Sequence, residues 1–241
     1  MLVDLADAAG HQQLLKSINR MTLVRHLCVH PGLSRADLAV AVQLTKSTVS
    51  MLVRELIDEG WLIEHEVVVT GDLGRRPTPL FIDPGRLVLL GAEVGIEGVR
   101  AVVTSLTGEV LAQGRSGYGG ARSAKASIGV LAATMLKVAG RLDGAKQRVI
   151  GIGVGLPGGV DEASGFLHFA PNLGWRDVPV GDLLAEKLAG SVLQRVPLLP
   201  VRTSRLGVDA VAVGAAALVR YRLTRPLIGP AYAARAASAG A

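Results

Sequence analysis

The segment that most constrains the fold spans residues 32–60, which predict two short helices joined by a tight turn. Ser34 can cap the first helix, and Asp37 three residues later can reach back in a capping-box arrangement. The dipeptide Gln43-Leu44 breaks the pattern, and Thr45 is placed to cap a second helix. That helix runs to Gly60, a residue suited to the left-handed position past a helix end.

The second helix has two chemically different faces. Apolar residues at helical spacing predict one buried stripe, formed by Val49, Leu52, Val53, Leu56 and Ile57. The opposite face carries hydroxyl groups and two cations, which suit the major groove of DNA. We therefore predict that this helix contacts DNA through Thr45, Lys46, Ser47, Thr48, Ser50 and Arg54.

A β-hairpin with a basic tip is predicted directly after this helix. Residues 61–63 and 67–69 are typical of strands, and residues 80–82 are typical of their return partner. Between them, Arg75 and Arg76 lie in a glycine-rich loop that could contact phosphates or enter the minor groove. The alternative is an ordinary helical hairpin whose polar face is solvated, but the arginine tip favours a winged helix-turn-helix.

A supporting helix is predicted over residues 13–30, ending at Pro31-Gly32, whereas residues 1–12 carry little pattern and are expected to be mobile. His26 and His30 have a spacing that could bind a metal. Without a third ligand nearby, we interpret them instead as cations at a helix C-terminus.

Charge and cysteine content limit the function classes. The net charge is +6, yet residues 1–83 contain slightly more acidic than basic residues, so DNA binding depends on local placement of cations. Cys28 is the single cysteine, which excludes disulfides and cysteine-based metal sites. The sequence shows no signal-peptide pattern and no uncharged apolar run of about 18 residues. We expect a soluble cytoplasmic protein with no membrane partner.

A second domain is predicted after the turn formed by Asp83, Pro84 and Gly85. Three strands (residues 87–94, 99–105 and 109–113), a helix (residues 123–141) and a buried strand (residues 149–155) follow in that order. The buried strand ends in a glycine-rich turn at residues 156–159, the kind of place where α/β sheets usually bind ligands.

Two motifs in this domain resemble the ROK family of bacterial repressors and sugar kinases: GVGLPGGVD at residues 153–161 and APNLGWRDVP at residues 170–179. The resemblance implies a mixed α+β and α/β protein, with a winged helix-turn-helix followed by a partial ribonuclease H-like lobe of the actin and hexokinase type. It also implies a sugar or sugar-phosphate effector that binds at Pro157, Gly158 and Asn172. Judged without the resemblance, Asn172 could equally be a loop residue that bonds its own backbone.

The chain departs from the family in ways that disfavour catalysis. Residues 93–98 read EVGIEG where kinase members have a glycine-rich phosphate loop, and no Asn-Asp pair supplies a catalytic base. We therefore predict no enzyme activity and no catalytic residues. The family's zinc site, with one histidine and three cysteines, cannot form, so no metal and no cofactor are expected.

Beyond residue 189 the second lobe expected from the resemblance is missing, which suggests an internal deletion joined near residues 190–196. Residues 201–210 and 214–218 resemble the family's final helix. We predict a helix over residues 206–223 and consider a membrane-associated segment less favoured there, because Asp209, Arg220 and Arg222 interrupt it.

The predicted domains are a winged helix-turn-helix (1–83), a first ROK lobe (84–189), a C-terminal ROK helix (190–228) and a disordered tail (229–241). The favoured function is a DNA-binding repressor of carbohydrate genes that acts as a homodimer on operator DNA. Two alternatives stay open: an ATP-dependent hexose kinase, and a non-functional remnant whose second domain does not fold cooperatively.

Overall fold

The computed structural model describes residues 2–65, 78–120, 123–161, 163–194, 196, 198–202, 212 and 215–220. The chain divides into two compact units, one formed by residues 1–82 and the other by residues 83–222. No single helix in the described residues is long and apolar enough to cross a membrane; α2 and α3, defined below, pass that test only when taken together.

The first unit consists of three helices and a two-stranded sheet. Its elements are α1 (Leu2–Val29), α2 (Arg35–Ala41), α3 (Lys46–Asp58), β1 (Leu62–Glu64) and β2 (Leu80–Ile82). The predicted start of the supporting helix at residue 13 was wrong, because α1 begins at Leu2. The strands β1 and β2 pair antiparallel, with Ile63 opposite Phe81. The predicted strand over residues 67–69 lies outside the described residues.

The predicted caps position α2 and α3. The Ser34 hydroxyl accepts from the backbone N–H of Asp37, and the Asp37 carboxylate accepts in return from the Ser34 backbone N–H, which completes the capping box. Gln43 takes a positive φ of 56° between the helices, and Gly60 takes φ of 86° after α3. The axes of α2 and α3 are bent by 115°, within the range of roughly 90–120° for a helix-turn-helix.

Apolar side chains from all five elements fill the core of the first unit. They include Leu23, Leu27, Leu38, Val49, Leu52, Val53, Leu56, Leu62 and Leu80, each at most 1% exposed. Ile57 from the predicted stripe is half-buried. The loop before α2 is tied to β2, because Gly32 N donates to Leu80 O and Leu80 N donates to Leu33 O. The hairpin is therefore part of the same folded unit as the helices.

The second unit is built on a five-stranded sheet with the order β10-β6-β3-β4-β5. The strands are β3 (Leu87–Val94), β4 (Gly98–Ser105), β5 (Val110–Gly117), β6 (Arg148–Leu156) and β10 (Leu198–Arg202). Pairs β3–β4 and β4–β5 are antiparallel, whereas β3–β6 and β10–β6 are parallel. This is the sheet of the predicted ribonuclease H-like lobe.

Helices and a smaller sheet complete the second unit. They are α4 (Ala124–Ala139), α5 (Val180–Leu188) and the antiparallel strands β7 (Gly159–Asp161), β8 (Phe166–Ala170) and β9 (Trp175–Pro179). Residues 212 and 215–220 are helical and are called the C-terminal helical segment below. Val201 and Arg202, which resemble the start of the family's final helix, instead belong to β10, where they pair with Gly155 and Leu156 of β6.

The two faces of the large sheet are covered by different elements. Alternating residues of β3, such as Val88, Leu90 and Ala92, pack with α4 and α5 in one core cluster. On the other face, Gly91 lies so close to the C-terminal helical segment that a Cβ there would be 1.9 Å from the carbonyl oxygen of Ala212. Because successive strand residues point to opposite faces, the helical segment covers the face away from α4.

Candidate nucleic-acid interface and ligand cleft

The exposed face of α3 carries most of the residues predicted to contact DNA. Lys46, Ser47 and Arg54 are exposed, whereas Val49, Leu52, Val53 and Leu56 on the other side are at most 1% exposed. Ser50 is half-buried, and its backbone carbonyl accepts a hydrogen bond of 3.3 Å from Arg35 Nη1. The helix therefore packs on one side and offers cations and hydroxyl groups on the other.

Three hydroxyl groups cluster at the N-terminus of α3. Thr45 Oγ1 lies 3.0 Å from Ser47 Oγ and 2.8 Å from Thr48 Oγ1, and it accepts from the Thr48 backbone N–H at 3.2 Å. Thr45 and Thr48 therefore have a structural role at the helix start in addition to the predicted contact with DNA. The free N–H groups of the first turn also favour a phosphate at this end of the helix.

Lysine and arginine side chains of neighbouring elements form ion pairs with three glutamates of this unit. Lys16 Nζ lies 2.7 Å from Glu55 Oε1, and Arg20 bridges the carboxylates of Glu55 and Glu59. Arg35 Nε similarly lies 2.9 Å from the carboxylate of Glu64 on β1. These ion pairs neutralise the three carboxylates locally and leave the net charge of the unit unchanged. The wing residues Arg75 and Arg76 lie outside the described residues, and their role stays a prediction.

A cleft of about 620 Å³ opens in the second unit beside the turn between β3 and β4. It brings Pro157 and Asn172, two of the three predicted effector residues, together with residues 93–98. Gly158 does not line the cleft. A Cβ at Gly158 would lie 1.9 Å from the carbonyl oxygen of Phe169, so this glycine allows β8 to pass close by.

Asn172 is held at the cleft by a 3-10 turn. The turn spans Pro171–Leu173 and ends at Gly174, which takes a left-handed φ of 66° and whose N–H donates to the Pro171 carbonyl. Asn172 is exposed and lines the cleft. Its contact with a ligand stays a prediction.

The turn between β3 and β4 has a bulky apolar side chain and an acidic side chain at positions where a phosphate-binding loop would need glycines. Ile96 is 65% exposed and Glu97 is exposed. The turn is fixed by Gly95 N, which donates to Gly98 O at 2.8 Å, and by Tyr118, whose hydroxyl donates to Gly95 O at 2.5 Å. Burial raises the pKa of Tyr118, so this hydroxyl stays a donor at neutral pH.

Three polar residues that line the cleft were not predicted from the sequence: Arg100, Arg115 and Ser116. Arg100 of β4 stands opposite Arg115 of β5 in the strand register, and opposite Glu93 of β3 on its other side. The alternation of β4 could have indicated which face Arg100 occupies. The strand register needed to place it beside Arg115 is not local in the sequence.

No group of three or more metal-ligating side chains occurs in the part of the chain that the structure describes. His26 and His30 lie one turn apart on α1 with their ring centroids 4.8 Å from each other. This contact is compatible with two histidines at a helix C-terminus, where positive charge is favourable.

The folds of the two units together define a class of protein: a winged helix-turn-helix followed by a partial lobe of the sugar-kinase type. Residues 17–69 match the MarR family, and residues 89–195 match the ROK family. The chain thus carries a MarR-type helix-turn-helix followed by a ROK family domain, which confirms the resemblance noted in the sequence.

Known proteins share both parts of this arrangement. The chain is 28% identical over 178 residues to the xylose repressor of Caldicellulosiruptor bescii, an alignment covering 74% of this chain and 44% of that protein. It is 28% identical over 186 residues to the xylose repressor of Bacillus subtilis strain 168, covering 77% and 46% respectively. The chain therefore spans less than half the length of either repressor.

A solved structure shares the fold. The crystal structure of a ROK family transcriptional regulator, described as a homologue of the E. coli MLC protein, superposes with a TM-score of 0.61. The two sequences are 22% identical, and the superposition covers 80% of this chain and 47% of that one.

Proposed function

We propose that this protein is a DNA-binding transcriptional repressor of carbohydrate genes whose ROK domain responds to a sugar. The observation that carries the proposal is α3, a helix buried on one face and cationic on the other within a helix-turn-helix bend of 115°. A helix presented in this way fits the major groove. The similarity to two xylose repressors supports both the regulatory role and the sugar.

The proposal includes two copies of the chain on one operator. A single winged helix buries little surface on DNA, and operators read by helix-turn-helix dimers are commonly palindromic. It also implies that the protein acts in the cytoplasm, where its DNA partner lies.

DNA binding is tested by fluorescence anisotropy with labelled genomic fragments at several salt concentrations. We expect specific complexes whose affinity falls as salt rises, because cations released from DNA drive the binding. Arg54→Ala should weaken binding and reduce the salt slope by about 0.9 if Arg54 contacts one phosphate. Arg75→Ala and Arg76→Ala are expected to act in the same direction.

The matched control for these variants is Lys146→Ala, which removes an exposed cation from the second unit, where no DNA contact is proposed. Its affinity and salt slope should equal those of the wild type. Absence of a specific complex even at low salt would contradict the proposed function.

Sugar sensing is tested by the thermal shift of the protein with xylose, glucose and N-acetylglucosamine, and with their phosphates. An amide can donate to one sugar hydroxyl and accept from another, so Asn172→Ala should abolish any shift that the wild type shows. Asn19→Ala on α1 is the matched control and should preserve it. If the Asn172→Ala variant still shows the thermal shift with sugar, Asn172 is not part of the sugar-binding site.

Catalysis is not part of the proposal. Glu97 would repel the phosphates of a nucleotide at the turn where backbone N–H groups should meet them. A coupled assay for ADP release with glucose, N-acetylglucosamine and N-acetylmannosamine should show no turnover. Turnover that depends on Asn172 would instead support the kinase alternative.

A further inference from the structure

One apolar side chain lies on the exposed face of α3. Met51 is 50% exposed, whereas the other apolar residues of this helix are buried or half-buried. With 3.6 residues per turn, Met51 lies about 40° around the axis from Ser47 and about 60° from Arg54. It is therefore on the same face as the residues proposed to contact DNA.

The packing of the first unit does not explain why an apolar side chain lies at position 51. The core is filled from the opposite side of α3 by Val49, Leu52, Val53 and Leu56. Glu55, which is one turn beyond Met51, is directed to Lys16 and Arg20 of α1. A single exposed apolar residue is common on protein surfaces, so its position on this face carries the argument.

Two polar neighbours of Met51 are less available to DNA, because one already contacts another hydroxyl group and the other is half-buried. The Ser47 hydroxyl lies 3.0 Å from Thr45 Oγ1, and Ser50 is half-buried. The exposed face therefore offers a base edge an apolar side chain, with the Ser47 hydroxyl and the Arg54 guanidinium group on one side of it and Glu55 on the other. In the major groove, the apolar group on a base edge is the C5-methyl of thymine.

We infer that Met51 is a specificity-determining residue that contacts a thymine methyl group in the operator. The inference depends on the proposed function, because it assumes that α3 enters the major groove. A methionine side chain is flexible and polarisable, which lets it pack against a methyl group without a fixed geometry. The operator half-site should then contain a thymine at the base pair facing the middle of α3.

The test replaces thymine by deoxyuridine, which removes the methyl group and retains the hydrogen-bonding edge. The probe is the duplex that the wild-type chain selects from a random-sequence library, with each thymine of one half-site replaced in turn. We expect at least one position where deoxyuridine lowers affinity about fourfold, the effect of one buried methyl group. Met51→Ala should bind both duplexes equally at that position.

Two further variants serve as controls for this test. Met51→Leu should retain the preference for thymine, because it restores an apolar side chain of similar volume. Leu15→Ala removes an exposed apolar side chain from α1 (58% exposed) and should also retain it. Failure of the wild type to select any sequence would overturn the proposed function. If the protein selects a sequence but ignores deoxyuridine, or if Met51→Ala keeps the preference, only the inference about Met51 is overturned.

Discussion

Two glycines in the large sheet allow the C-terminal helical segment to approach the strands closely, and replacing one of them should destabilise the second unit. Gly91 of β3 stands opposite Gly153 of β6 in the register. A Cβ would lie 1.9 Å from the carbonyl oxygen of Ala212 in the first case and 2.5 Å from that of Ala215 in the second. Both contacts are with backbone atoms, which no rotamer change can move.

The size of the effect follows from the clash at Gly91. A carbon atom and a carbonyl oxygen approach each other to about 3.3 Å at the closest. Gly91→Ala therefore requires the helical segment to move away from the sheet by roughly 1 Å or more. Overpacking of this kind costs about 1–3 kcal/mol. We expect the upper end of that range, because the shift also separates Ala216 and Val219, both fully buried, from the sheet.

The free energy of unfolding can be measured in urea from Trp175, which is buried in the second unit. A Trp61→Phe background removes the other tryptophan. The matched control is Gly129→Ala in α4, where a Cβ would meet nothing within 4 Å. That change should stabilise the protein by about 0.5–1 kcal/mol, the cost of glycine inside a helix. Equal stability of the Gly91→Ala and Gly129→Ala variants would refute the close packing of the helical segment.

Three further predictions concern single hydroxyl and carboxyl groups. Ser34→Ala should lower the free energy of unfolding of the first unit by about 1 kcal/mol, because α2 loses its cap; Trp61 fluorescence in urea measures this, and Ser34→Thr, which keeps the hydroxyl that bonds Asp37, should recover most of the loss. Tyr118→Phe should cost about 1 kcal/mol by removing the hydrogen bond to Gly95. The difference between the ultraviolet titrations of the wild type and this variant should have a midpoint above 10.0, because burial raises the pKa of Tyr118. The pKa of Asp161 is lowered below 3.8, first by the backbone N–H of Ala163. Stability from this carboxylate is thus present above the ordinary pKa and is lost as the pH falls through the lowered one. Asp161→Asn should flatten that part of an acid-unfolding curve.

The helix-turn-helix could be predicted from the sequence because its signals are local. Ser34, Thr45 and Gly60 each mark a helix boundary within a few residues of the group they satisfy. The N-terminal part of α1 was not predicted, because the signal that was sought there, an apolar stripe, is absent. Residues 2–12 lack an apolar stripe, but their alanines favour a helix by intrinsic propensity alone.

Pro200 lies within the strand β10, which was not predicted because residues 201–210 were interpreted as part of the family's final helix. A proline removes a donor from the ladder and argues against a central strand, yet it is tolerated on an edge strand. In the sheet order β10 stands at the edge beside β6, where that restriction does not apply. Position within a sheet depends on residues far apart in the sequence. The same applies to Arg100 and Arg115, which only the strand register brings together at the cleft.

The packing of the large sheet bears on the alternative that the ROK domain is a remnant that does not fold cooperatively. A sheet with parallel strands is usually covered on both faces, and an uncovered face would explain broad, non-cooperative melting. Here α4 covers one face, and the C-terminal helical segment covers the other, anchored where Arg220 Nη1 donates to the Leu106 carbonyl at 2.7 Å. Cooperative unfolding of the second unit is therefore expected.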